Sequence, residues 1–299
     1  MAVTNIVKSI LDRLRNQSKE TGLQFQTVLQ LFVQEEFLRK LSISNYCNKF
    51  ILKGGMFIYT LTNFDSRPTR DVDFIVRNLD AELNSVLEAV QSICEISTGN
   101  DYIVMQPKKI EQIGFQKEYP GARVSLVAEI DKVKVPFSVD IGIDDVVIPA
   151  PSKRRISTRL KDFEEPEIYT YSLETTIAEK LDAILERMSL TSRMKDFYDI
   201  YYLSSRFDFD GKLLAKAVKE TMSHRKRKIQ DNAFDNIRAF AENDQLLNHW
   251  SNFEIANNSE LSFETVINKM CEFLKPVYIF ICKNEEFLLH WNCKNQKWE

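Results

Sequence analysis

The stretch 53–73, KGGMFIYTLTNFDSRPTRDVD, constrains this chain more than any other. A Gly54-Gly55 pair is followed, after a short apolar run and a polar loop, by Asp71-Val72-Asp73 and then Phe74-Ile75-Val76. The alternation from Asp71 to Phe74 marks the start of a β-strand, in which residues i and i+2 share a face. Asp71 and Asp73 therefore present two carboxylates side by side, which repel unless a cation or a shared proton offsets the charge. Hard oxygen donors suit Mg²⁺, which keeps several waters and shares its shell with substrate phosphates. The paired glycines let the backbone approach another group closely and offer N–H groups to a phosphate. A helix opening within 51–59 would bring the positive end of its dipole to that phosphate. Each half alone has an ordinary explanation, a turn for Gly-Gly and a solvated or capping pair for Asp-x-Asp. Together, ahead of an apolar strand, they point to a site for a metal–nucleotide complex.

The loop from Thr62 to Arg70 carries Arg67, Thr69 and Arg70 into Asp71. An arginine beside carboxylates is either a structural salt bridge or a grip on a triphosphate. From 101 to 148 the period is two: Val124, Leu126, Ala128 and Ile130 alternate with other residues, and Asp131-Lys132 makes a turn. The return strand places Val133, Val135, Phe137, Val139 and Ile141 on one face and Lys134, Pro136, Ser138 and Asp140 on the other. Asp140 is thus a candidate third acid beside Asp71 and Asp73, of the kind a two-metal transfer uses to activate one oxygen and steady a leaving group. The bland alternative is a strand-end aspartate capping a loop, and Asp144 and Asp145 compete for the same role.

The remainder reads as largely helical. Helices are expected over 4–18, 22–42 and 80–96 from their apolar spacing. Residues 149–168, with three prolines and Lys153-Arg154-Arg155, read as a connector whose basic triplet is either a solvated loop or an RNA-backbone contact. Ser172 is placed to cap a helix starting at Leu173. On that helix Lys180 falls on or beside the buried stripe, so it either snorkels out or faces an anionic site. Asp196 and Asp199 share a face of the next helix and, taken alone, read as a surface pair. His224-Arg225-Lys226-Arg227-Lys228 is the concentrated basic run of the helical region beyond 210, and the tail from Pro276 reads as a small hairpin. Trp291 and Trp298 read as packing residues.

A chain of 299 residues, 44% hydrophobic and 28% charged, has room for two modest domains, divided here as 1–150 and 151–299. Its net charge of −3 supplies no global positive field, so a nucleic-acid partner would have to meet local basic patches. The N-terminus reads as an amphipathic helix without a signal-peptide block, and no run of about 18 apolar residues suggests a membrane span. Five scattered cysteines fit a reduced, cytoplasmic chain. Cys282, His290 and Cys293 match no familiar zinc spacing.

The order Gly-Gly, gap, Asp-x-Asp resembles the signature of the DNA polymerase β-like nucleotidyltransferases. Phe50–Gly55 and Arg67–Phe74, with VQEEFLRKLSIS ahead of them and SVDIGIDD at 138–145, resemble the AbiEii/MenT toxins of bacterial type IV toxin–antitoxin systems. Ala178-Glu179-Lys180, followed by Lys195-Asp196-Phe197-Tyr198-Asp199, resembles that family's later motifs. The resemblance implies an α+β fold, a polymerase β-like core of mixed sheet flanked by helices, with a mainly helical C-terminal domain. It implies a catalytic set of Asp71, Asp73, Asp140, Lys180 and Asp199, with Asp71, Asp73 and Asp140 as ligands of Mg²⁺ or Mn²⁺. Lys53, Gly54, Gly55, Arg67, Thr69 and Asp196 then form the nucleotide-binding group; apart from the resemblance, the density of the basic run makes Arg225, Lys226, Arg227 and Lys228 a candidate contact for an RNA backbone. The implied activity is transfer of a nucleotide from an NTP to an RNA acceptor, the tRNA 3′ end in characterised relatives. Translation and growth are blocked, a cognate antitoxin is the partner, and phage abortive infection is the setting. Two rivals stand beside it: transfer to a protein hydroxyl, and a nucleotide-binding module without catalysis.

Overall fold

The structure is a computed structural model that describes residues 2–80, 82–114, 121–143, 146–253 and 260–299. The chain divides into two compact units, Met1–Asp144 with Pro151–Tyr171, and Asp145–Ala150 with Ser172–Glu299. A single boundary at 150 is the simplest reading of the sequence. Around that position, 151–171 pairs into the first unit's sheet and 145–150 belongs with the second unit.

The first unit is built on a seven-stranded mixed sheet in the order β3-β4-β5-β2-β1-β7-β6. Its strands are β1 (Phe50–Lys53), β2 (Asp71–Val76), β3 (Ile103–Ile113), β4 (Gly121–Ile130), β5 (Val133–Ile143), β6 (Ser152–Arg155) and β7 (Glu167–Thr170). β2 runs parallel to β5 and β1 parallel to β7, while the other pairings are antiparallel. Alternation decides which face is which. Along β4 every second residue from Ala122 is buried, and the intervening ones, Arg123 among them, are half-exposed. The buried face takes helix α2 (Phe25–Ser42), whose Phe37 ring lies 6.1 Å from Phe74 and 6.2 Å from Phe137. Each fully buried ring of this kind contributes about 1.5–3 kcal/mol.

α2 was expected to show one broad apolar face, but from Leu31 to Leu41 it is buried all round, Gln34, Glu35, Glu36, Arg39 and Lys40 included. Buried polar groups need partners. Glu36 accepts from Arg39 Nε at 2.6 Å, from Asn100 Nδ2 at 2.9 Å and from the Thr98 hydroxyl. Glu35 accepts from the Arg159 backbone N–H at 3.1 Å, with the Arg159 guanidinium stacked 4.8 Å from the Phe64 ring centroid.

Two local expectations change. The helix expected to open within 51–59 starts at Gly54, as α3 (Gly54–Leu61), because the buried apolar run Phe50-Ile51-Leu52 joins the sheet as β1. Residues 149–168 hold β6 and the start of β7, where a connector was expected: each strand has only four residues, and β6 is exposed at every position, so no apolar alternation announces it.

In the second unit, Ser172 caps α5 (Leu173–Arg187) by accepting from the Thr175 N–H at 3.1 Å, and α6 spans Met194–Arg206. α7 (Gly211–His224), α8 (Ala233–Ala239) and α9 (Asp244–Ser251) lead to α10 (Phe263–Lys283). That last helix runs through Pro276, where a hairpin was expected. Val277, Tyr278 and Ile281 are buried at helical spacing, which offsets the hydrogen bond that proline removes. The hairpin lies further on, β9 (His290–Asn292) with β10 (Lys297–Trp298), and β8 (Phe209–Asp210) pairs with β9. Trp291 and Trp298 pack against Phe273 and donate their indole N–H groups to Ser204 O and Phe273 O. Among the described residues no helix is long and apolar enough to cross a membrane.

Candidate active site

The site residues of the first unit gather where β1 turns into α3. Gly54 has φ +66°, a left-handed conformation, and a Cβ there would lie 2.2 Å from Asp73 Oδ2. At Gly55 a Cβ would lie 2.8 Å from Thr69 Oγ1 and 3.6 Å from Arg67 Nη2. The glycines are therefore small because Asp73, Thr69 and Arg67 close over them. The first N–H groups of α3 have no partner within the helix, and they carry the positive end of its dipole. Thr69 donates to Asp71 O at 3.2 Å. From α2, Gln30 and Gln34 each donate to Arg70 O at 2.8 Å, pinning the backbone just ahead of Asp71.

Sheet register sets the row beside the glycines: Lys53 stands opposite Asp73, Asp73 opposite Asp140, and Asp71 opposite Ser138. Ser138 donates to Asp71 Oδ1 at 2.8 Å. Asp140 does stand on the face of Asp71 and Asp73, but both of its oxygens belong to Arg123, from Nε at 2.7 Å and Nη2 at 2.6 Å. That hydrogen bonding raises the Arg123 pKa against the opposing effect of burial, aided by the charges of Asp140 and Asp71. Arg123 is thus a fixed cation among the acids, which sequence reasoning passed over. Lys53 Nζ sits 3.4 Å from the Tyr171 hydroxyl and 3.8 Å from the point where a Gly142 Cβ would project. Tyr171 is a second residue that sequence reasoning missed.

These donors suit one divalent cation. Asp71 and Asp73 are hard carboxylates on one face, and the space Asp73 occupies over Gly54 is a cradle that any side chain would fill. Among the described residues no group of three or more His, Cys, Asp or Glu side chains is arranged to hold a metal. Asp140, the third acid of the expected set, is engaged by Arg123 through both of its oxygens. Asp144 and Asp145 lie outside the described residues. A groove of about 820 Å³ between β3 and α4 (Leu83–Glu95), lined by Lys40, Cys94, Met105 and Lys108, includes none of these side chains.

In the second unit Lys180 lies between Asp199 Oδ2 at 2.6 Å and Asp196 Oδ1 at 3.2 Å, and Arg193 Nε donates to Asp196 Oδ2 at 2.6 Å. Asp196 and Asp199 are each 1% exposed, so the pair that reads as surface in the sequence is buried, and Lys180 faces the anions. Burial pushes the Asp196 carboxyl up, but the charges of Lys180, Arg193 and Lys195 outweigh it and hold the group below the usual carboxylate range. Of the basic run, Arg225 and Arg227 turn onto buried Asp182, at 3.1 and 2.7 Å, and reach Glu179 and Glu186 at 3.2 and 3.5 Å. Lys228 is exposed. The cysteines are all free thiols.

No curated protein matched the sequence. The fold is similar to that of MenT4, the nucleotidyltransferase toxin Rv2826c from Mycobacterium tuberculosis H37Rv, at TM-score 0.51 and 16% identity, covering 88% of this chain and 94% of that one. It is also similar to JHP933 from Helicobacter pylori, at TM-score 0.50 and 14% identity, covering 88% and 96%. The model of the AbiEii family, described as nucleotidyl transferase AbiEii toxin of the type IV toxin–antitoxin system, matches residues 36–269, a span that takes in both units. The chain belongs to this AbiEii family and is a nucleotidyltransferase.

Proposed function

We propose that this chain moves a nucleotide from an NTP to an RNA acceptor, the 3′ end of tRNA, with Asp71 and Asp73 holding a divalent cation, Mg²⁺ or Mn²⁺. One observation carries the reading: Asp73 occupies the volume that a side chain at Gly54 would take, which ties the acidic strand to the start of α3. When bound, the cation would neutralise charge on the triphosphate and on the leaving pyrophosphate. The N–H groups of Gly54 and Gly55, the dipole of α3, Thr69 and Arg67 bind and orient the phosphates. Lys53 adds a positive charge on the Asp73 face, and Arg123 keeps Asp140 in place. The acceptor hydroxyl attacks the α-phosphorus in line, the bond to the β-phosphate breaks, and pyrophosphate leaves. Lys180, Asp196 and Asp199 enter through the family resemblance, Lys180 as an active-site cation and the aspartates as its anchors. Loss of amino-acid acceptance by modified tRNA would then block translation and growth, and the family implies an antitoxin as the restraining partner.

The test is incubation of the protein with total bacterial RNA, Mg²⁺ and each α-labelled NTP in turn, with RNA and protein fractions separated afterwards. Label entering tRNA-sized RNA with wild type and not with Asp71→Ala supports the proposal. Label in protein alone would sink the RNA reading in favour of a protein hydroxyl, and label in neither would favour a binding module.

A further inference from the structure

The edge strand β6 carries Lys153, Arg154 and Arg155, and all four of its residues are exposed. Among the described residues none of the three makes an ion pair; Glu167, opposite Arg155 in the ladder, is not within ion-pair distance of it. In the other basic run Arg225 and Arg227 turn onto Asp182, whereas Lys153, Arg154 and Arg155 stand as three consecutive exposed cations on one strand.

Register places the triplet relative to the acids. Lys153 stands opposite Tyr169, Tyr169 opposite Ile51, and Ile51 opposite Ile75, two residues along from Asp73. Residues opposite one another share a face, so Lys153 and Arg155 project from the Asp73 face and Arg154 from the other. Three strand spacings and two residues separate Lys153 from the Asp73 row, about 16 Å. Tyr169, half-buried, lies between them, with Lys153 Nζ 5.4 Å from its ring centroid. Charge on an edge strand also guards against edge-to-edge pairing. That purpose does not require one sign: the opposite edge, β3, carries the paired Lys109 and Glu111.

We propose that Lys153 and Arg155, with Tyr169 beside them, form a track for the phosphate backbone of the RNA acceptor, several nucleotides back from its reacting hydroxyl. The inference rests on the acceptor reading above and adds to it the strand that holds the acceptor. Backbone contacts of this kind are electrostatic and independent of sequence, and each one steepens the salt dependence of binding.

The experiment compares wild type with Lys153→Glu, Arg155→Glu and Arg154→Glu. These exposed positions keep a charge on the edge, and the last makes the same change on the opposite face. Equilibrium binding of labelled tRNA is measured at several salt concentrations, together with the KM for RNA and the KM for NTP. Lys153→Glu and Arg155→Glu should each raise the RNA Kd and KM about fivefold or more and flatten the log–log salt slope by about 0.7 to 0.9, leaving the KM for NTP unchanged. Arg154→Glu should change RNA binding less than about twofold. Wild-type RNA binding by Lys153→Glu and Arg155→Glu would overturn the proposal and leave an acidic protein segment as the partner of this edge. An equal loss in Arg154→Glu would also overturn it, because the effect would then be one of overall charge. A wild type that labels no RNA would sink the acceptor reading, a result visible before any β6 variant is compared.

Discussion

Gly54→Ala separates the backbone cost of the Gly-Gly turn from its role in placing Asp73. A residue with a side chain held at φ +66° costs about 1–2 kcal/mol in the left-handed region. The new Cβ would also lie 2.2, 2.7 and 2.9 Å from Oδ2, Cγ and Cβ of Asp73. Restoring an ordinary 3.4 Å contact from 2.2 Å requires the carboxylate to move by about 1.2 Å. A misplacement of about 1 Å in a reacting constellation can cost about 100-fold in rate. Gly22 and Gly99 have φ +72° and +82° with nothing within 4 Å, so alanine there carries the strain without the contact. Gly22→Ala and Gly99→Ala should lose about 1–2 kcal/mol, a fall in Tm of roughly 2–8 °C, and Gly54→Ala about 1–3 kcal/mol more because of the contact. Nucleotide transfer should fall about 100-fold in Gly54→Ala and stay near wild type in the other two. Transfer by Gly54→Ala within about threefold of Gly99→Ala would refute the link between the turn and the carboxylate.

Lys180→Met leaves Asp199 and Asp196, each 1% exposed, short of their shared cation, and should destabilise the protein by about 3–5 kcal/mol in urea unfolding. Adding Asp199→Asn should recover part of that loss, and no recovery would contradict the charge argument. Burial pushes the Glu35 carboxyl from 4.5 up to about 7, with the Arg159 charge opposing. A raised folded pKa means that its stabilisation is full below 4.5 and is lost as the pH rises through about 7, a change of about 3 kcal/mol. The urea midpoint of wild type should therefore fall over that window relative to Glu35→Gln, and parallel pH profiles would count against a protonated Glu35. Phe37→Ala, removing a ring packed on Phe74 and Phe137, should cost about 3–5 kcal/mol in the same assay.

Short-range patterns made much of the first unit legible. The alternation in 124–141 and the turn at Asp131-Lys132 give the β4–β5 hairpin, and that turn pairs Ile130 with Val133. Counting outward from it places Arg123 opposite Asp140, so the missed arginine was readable had the register been followed to its end. The burial of Asp196 and Asp199 was not readable in this way, because helical spacing shows that two aspartates share a face but not that the face meets Lys180. β6 and β7 were hidden by shortness and by the full exposure of β6. Pro276 misled for a different reason. Val277, Ile279 and Ile281 alternate as a strand would, while burial of Val277, Tyr278 and Ile281 follows the helix. The polar residues of α2 are buried because Arg159, Thr98 and Asn100, far away in sequence, supply their partners.

The central claim is that Asp71 and Asp73 couple a divalent cation to an NTP held at Gly54-Gly55. The most direct test is titration calorimetry with each of the common NTPs carrying a methylene group between the α- and β-phosphorus atoms, with and without Mg²⁺, on wild type and Asp73→Asn. The account predicts that Mg²⁺ tightens binding of at least one nucleotide about tenfold or more in wild type, and that this enhancement disappears in Asp73→Asn. An equal Mg²⁺ enhancement in the two proteins, or none in wild type, would contradict it.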